Sequence, residues 1–136
     1  MVAQHQNWTA LREAETARML AACTRCGECF RACPMIAHAP AAQGADGATI
    51  MGGVLDLLQG GAGDAASRAW TSACTRSGVC VPACPEAVNP MLMLRLAKFR
   101  AQESGALPPR DARDAMARVK TFARLTMTEE EWERWQ

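Results

Sequence analysis

Hydrophobic and polar positions along this chain follow a helical rhythm wherever they follow any. Trp8, Leu11, Ala14 or Glu15, Arg18 or Met19, and Ala22 make a modest stripe, with Asn7 or Thr9 placed to cap it. This predicts a helix over residues 8–22, packed over the loop that follows. Ile50, Met51, Val54, Leu55 and Leu58 predict a second helix over residues 48–59. Gly52 and Gly53 each weaken it by roughly 1 kcal/mol against alanine, which close approach of a neighbouring element would explain. Gly60-Gly61-Ala62-Gly63 is a turn, and Asp64 caps a short helix running through Trp70 to Cys74. Trp70 is expected to shield a bound group from water. Asn89-Pro90 opens a helix that ends near Ser104, with Gly105 as its stop. Met91, Leu92, Leu94, Leu96 and Phe99 leave that helix apolar around much of its circumference, the methionines reading as adaptable core filling. Leu107-Pro108-Pro109 breaks the pattern. Beyond it, residues 110–125 predict a helix with Ala115, Val119, Phe122 and Leu125 on or near one side. Thr128 and Glu131 form a capping box for a last helix carrying Trp132 and Trp135, which can fold back on the domain or dock on another subunit. No segment alternates as a strand would. The expected fold is all-α with long loops: a domain over residues 1–105 and a helical extension over 106–136, available as a subunit interface.

One stretch does not fit a helical rhythm. Cys23-Thr-Arg-Cys26-Gly-Glu-Cys29-Phe-Arg-Ala-Cys33-Pro34 reads C-x2-C-x2-C-x3-C-P, the spacing by which bacterial-type ferredoxins hold iron–sulfur clusters. Two-residue gaps let a tight loop turn three sulfurs toward one cluster, while the fourth cysteine turns toward another. Gly27 suits a loop with unusual backbone angles, and Pro34 keeps the exit from continuing as a helix bonded to the turn before it. The motif recurs about fifty residues on as Cys74-Thr-Arg-Ser77-Gly-Val-Cys80-Val-Pro-Ala-Cys84-Pro85. Cys74, Cys80, Cys84 and Pro85 match, as do Thr75-Arg76 and Gly78. Ser77 stands where the second cysteine of the repeat would be. His38, five residues after Cys33, is a weaker candidate for a replacement ligand.

Composition narrows the field. The 136 residues fit one domain with a tail, and three Phe, four Trp and no Tyr promise only a small conventional core, of the kind often reinforced by bound metal. A formal net charge of +1 argues against nucleic-acid binding by a broad basic field. Seven cysteines is an odd number, and residues 1–8 are polar, so a secreted disulfide framework is not expected. No run approaches the roughly 20 apolar residues of a membrane span. The expected setting is cytoplasmic, with attachment at the inner membrane only through a partner.

The paired motifs, set between helices without strands, resemble the α-helical ferredoxin family. That group includes the C subunit of heterodisulfide reductase and the C-terminal domain of the succinate dehydrogenase or fumarate reductase iron–sulfur subunit, with relatives in glycerol-3-phosphate and glycolate oxidation. The resemblance covers roughly residues 20–104. In its length and architecture the chain is more similar to the small heterodisulfide-reductase-C-type proteins, but its second motif matches the succinate dehydrogenase type, where the absent cysteine accompanies a three-iron cluster. The resemblance thus implies a 4Fe-4S cluster on Cys23, Cys26, Cys29 and Cys84, and a 3Fe-4S cluster on Cys33, Cys74 and Cys80. A fourth iron in the second site would need Ser77, His38 or solvent, and a serine hydroxyl is a poor, hard donor to a soft cluster.

No nucleotide-binding glycine pattern, nucleophile with a recognisable base or flavin fingerprint is present. The expected role is therefore that of an electron-transfer subunit of a larger oxidoreductase rather than an enzyme alone. The resemblance implies partners of three kinds: a protein with cysteine-rich CCG domains, a flavoprotein dehydrogenase, or a quinone-linked membrane subunit. Two other classes stand beside it. A four-iron cluster with only three cysteines offers an open iron as a Lewis acid, as in hydratases of the aconitase type; a labile cluster could instead serve as an oxygen or iron sensor. Structural zinc is the remaining reading of any cysteine-rich chain.

Overall fold

The side chain of Asn7 accepts a hydrogen bond from the Ala10 N–H and starts helix α1 (Trp8–Ala22) in the computed structural model, which describes residues 7–135. Of the expected stripe only Met19 is fully buried. Trp8 is half exposed and meets Phe99 edge-on at 6.2 Å, while Arg12 pairs with Glu103 at 2.6 Å. These contacts lash α1 to the later helix α6 (Pro90–Ser104) and deliver the chain to Cys23.

A single turn, α2 (Glu28–Arg31), follows the first cysteines. The stretch after it shows no period in the sequence and forms two short 3-10 helices, Pro34–His38 and Pro40–Ala42. The reason is that proline opens each of them, where a fixed φ and a missing N–H cost nothing. Ala39 and Ala42 are buried there, and both turns pack against helix α4 (Ala65–Ala73).

Helix α3 (Gly47–Leu58) starts one residue earlier than its periodicity suggested, with the Asp46 carboxylate accepting from the Thr49 N–H. It supplies Ile50, Met51, Val54, Leu55, Leu57 and Leu58 to the core and packs on α4 and α6. A Cβ on Gly53 would lie 2.5 Å from Ser67 Oγ, so close approach to α4 requires that glycine, whereas Gly52 faces open space. Asp64 and Ser67 cap α4 reciprocally. Another single turn, α5 (Cys80–Ala83), follows the second set of cysteines and packs against α2. Asn89 caps α6, Pro90 occupies its first turn, and Gly105 ends it at φ +84°.

Met93, Leu94, Leu96, Ala97 and Ala101 from α6 join α3, α4, Phe30 and Met19 in one core. Leu107 is the last residue in it, so the packed unit runs two residues beyond the boundary drawn at Gly105. Helices α7 (Ala112–Thr126) and α8 (Glu129–Trp135) add nothing to that core. Ala123 and Trp132 are buried outside it, with Arg124 stacked 4.7 Å above the Trp132 ring. Trp132 thus folds back on α7, and Trp135 remains 42% exposed. The described residues contain no strand, and the fold is all-α.

Candidate metal centre

Both cysteine loops have one backbone design. Arg25 and Arg76 occupy matching positions at φ +60° and +62°, and Gly27 and Gly78 follow at +76° and +79°. Two left-handed residues flanking one position wind the chain into a cup before a single helical turn, α2 or α5, closes it. A non-glycine residue in this region is uncommon, and finding it twice at one motif position marks a repeated structural need. The duplication read from the letters is therefore a duplication of conformation.

The seven thiols ring two small cavities. Cys23, Cys26, Cys29 and Cys84 line the first; Cys33, Cys74 and Cys80, with Ser77, line the second. Each loop thus sends its last cysteine to the other's cavity, and the packing of α2 on α5 sets the two cavities side by side. Cys26 and Ser77, at equivalent motif positions, are both exposed, whereas Cys29 and Cys80 are buried. His38 is exposed at the end of its 3-10 turn and lines neither cavity. Trp70 also lines neither: it lies fully buried behind the first loop, edge-on to Phe30 at 5.2 Å, and supports the turn that carries Cys29. The expectation that it screens a bound group directly is corrected to one step removed.

Sequence reasoning missed the apolar side chains of the lining. Met51, Val88 and Met93 face the first cavity, and Met35, Met91 and Leu94 the second. Helix α6 stands between them, turning Met91 to one side and Met93 to the other. Cys29 Sγ lies 3.5 Å from Met51 Sδ. The methionines read as core filling are also cavity walls, and only tertiary placement distinguishes the two.

Burial pushes the Cys29 thiol up to about 12; the Phe30 backbone N–H opposes the shift and nearby Cys23, Cys80 and Cys84 add to it. The Cys80 thiol is also raised, by burial first and then by Cys74. Crowded, half-desolvated thiols resist ionisation unless a strong positive charge sits among them. Among the described residues no three His, Cys, Asp or Glu side chains converge closely enough for one metal ion. The thiols surround space, and the soft donor set suits a polynuclear iron–sulfur group with bulk of its own. The residues fit such a group.

This fold and donor set define an iron–sulfur protein of the ferredoxin type. A family model described as a 4Fe-4S dicluster domain matches residues 16–85, and the chain belongs to that family. No curated protein and no solved structure matches it. No helix among the described residues is long and apolar enough to cross a membrane.

Proposed function

We propose that the chain is an electron-transfer subunit of a multi-subunit oxidoreductase, related to heterodisulfide reductase C-type proteins. One observation carries this reading: seven thiols divide four and three between two adjoining cavities, with Cys33 and Cys84 exchanged. Cys23, Cys26, Cys29 and Cys84 would hold a 4Fe-4S cluster. Cys33, Cys74 and Cys80 would hold a 3Fe-4S cluster, with Ser77 lining the same cavity at the motif position where a fourth cysteine would stand. Such clusters supply reversible one-electron transfer. The chain's own contribution is to hold the two sites next to one another, exclude water and set the surroundings of the sulfurs. Met51, Met93, Met35, Met91 and Leu94 form the apolar walls that keep solvent back. Among the described residues the second cavity is lined by no carboxylate or histidine, which favours a relay over a hydratase needing a general base beside an open iron.

Native mass spectrometry of protein purified without oxygen tests the assignment. The expected count is about seven irons and about eight sulfides per chain, the sum of one four-iron and one three-iron cluster. Ser77→Cys should raise the count by one iron and lower the potential of the second site, seen by electron paramagnetic resonance during redox titration. An unchanged count and potential in that variant would defeat the role given to Ser77. Zinc in place of iron would defeat the electron-transfer reading itself.

A further inference from the structure

Cys74, Arg76 and Leu94 line two spaces at once. One is the second cavity. The other is a groove of about 650 Å³ between α4 and α6 on the core side and residues 109–119 on the other, a size suited to a small molecule. Cations stand on both walls: Arg76, Arg95 and Lys98 toward the core, Arg110 and Arg118 across from them. The two carboxylates of the groove are already engaged. Asp114 pairs with Arg118, and Asp111 accepts from the Arg113 and Asp114 N–H groups at the start of α7. Arg76, Arg95, Lys98 and Arg110 make no ion pair among the described residues. Like charges facing one another across a gap repel, and α7 puts no side chain into the core to hold the gap closed.

Thr71 belongs to the same lining. It is fully buried, and its hydroxyl has no hydrogen-bond partner among the described residues. Buried polar groups are nearly always satisfied, and Thr71 does not line the second cavity, so a cluster there does not account for it. Leu94, Phe99 and Val119 add apolar surface to the groove. We infer that the groove is a binding site for a small organic dianion, its apolar body over these three side chains and its carboxylate or phosphate groups on the cations of both walls. Arginine recognises either group through paired N–H donors. A single charge would neutralise one wall, whereas two acidic groups neutralise both and draw α7 onto the core. Through Cys74 and Arg76 the bound anion also places negative charge beside the second cavity. On the electron-transfer reading, on which this coupling rests, occupancy favours the oxidised cluster. Reduction of the cluster loosens the anion by the same factor.

Calorimetric titration of the cluster-loaded chain with suberate, its bisphosphate analogue and inorganic phosphate tests the site. The first two probes distinguish a carboxylate ligand from a phosphate one. At least one of them should bind with a Kd of ~10–100 µM, about tenfold tighter than inorganic phosphate, and more weakly in high salt. Arg110→Ala should weaken that binding about tenfold, and Lys120→Ala, on α7 but outside the groove, should leave it unchanged. Thr71→Val removes only the orphaned hydroxyl. It should weaken binding about threefold or more while the melting temperature of the free chain holds or rises, which a merely structural role would not produce. Redox titration followed by electron paramagnetic resonance should show the second cluster's potential lowered by ~59 mV for about tenfold weaker binding to the reduced protein. Failure of both organic dianions to bind below ~1 mM, or binding indifferent to Arg110→Ala, overturns the site. A hexaglutamate peptide that binds where the small dianions do not overturns it in favour of an acidic protein segment. Inorganic phosphate binding as tightly as the dianions overturns the apolar body. Binding without a shift in potential overturns the coupling, whereas zinc in place of iron would defeat the electron-transfer reading and leave the binding result standing.

Discussion

In the first cysteine loop, Gly27 is buried, and a Cβ there would lie 2.6 Å from the Cα of Gly47 at the start of α3. Arg31 pairs with Glu28 and donates to the Cys26 carbonyl at 2.8 Å, bracing the cup from outside. In the second loop, Gly78 has open space where its side chain would be, and Arg76, Val79 and Val81 face outward with no ion pair or bracing arginine among the described residues. Yet φ at the two arginines differs by only 2° and at the two glycines by only 3°. Duplication has kept what a cluster asks of a loop, which is the sign of φ and the placement of sulfur. What lies outside the cup has diverged. The first loop is built into the core; the second is left at the surface.

The largest expected effect breaks the comparison where the loops depend on one another. Cys84 belongs to the second loop but lines the first cavity, and Cys33 does the reverse. On the cluster assignment proposed above, Cys84→Ser should abolish the four-iron signal and spare the three-iron one, while Cys33→Ser should do the opposite. Electron paramagnetic resonance with iron analysis distinguishes them. If each variant instead lost the cluster of its own loop, the exchange of ligands would be wrong.

A smaller effect measures how far the surroundings differ. Gly27→Ala meets a left-handed penalty of ~1–2 kcal/mol and a backbone clash of ~1–3 kcal/mol that α3 must yield to absorb. Gly78→Ala carries only the first of these, ~1–2 kcal/mol. The melting temperature of the cluster-loaded protein should fall clearly further for Gly27→Ala. Equal falls would mean that the first loop is no more embedded than the second.

Much of this was open to sequence reasoning, for identifiable reasons. The helices followed from periodicity together with caps, and Asn7, Asp64, Asn89 and Gly105 stand where those signals put them. The repeat was legible because a metal site constrains letters as well as shapes. The 3-10 turns after Pro34 and Pro40 were missed because three or four residues are too few to show a period. Met51, Met91 and Met93 could not be seen as cavity walls, since a methionine facing a core and one facing a cofactor look alike in one dimension. Trp70 was misjudged for a related reason: its distance from the cysteines in sequence says nothing of Phe30, which stands beside it. The left-handed arginines were invisible as such. Arginine is not a residue that advertises positive φ, and only the repetition of Thr-Arg hinted that the position mattered.

Those arginines provide the finest test. Arg25 and Arg76 are exposed, and neither makes an ion pair among the described residues, so glycine at either position forfeits little contact. It relieves a left-handed backbone worth ~1–2 kcal/mol but adds chain entropy to the unfolded state worth ~0.5–1 kcal/mol. The net expectation for Arg25→Gly and Arg76→Gly is a gain of about 0–1.5 kcal/mol, the same in both loops to within about 0.5 kcal/mol. Thermal unfolding gives the comparison directly. Matching gains would show that the cup is one device used twice, indifferent to the core beneath it. A gain at Arg25 with a loss at Arg76 would show instead that the second loop relies on its arginine. The difference between the two surroundings would then extend into the backbone that holds the sulfurs.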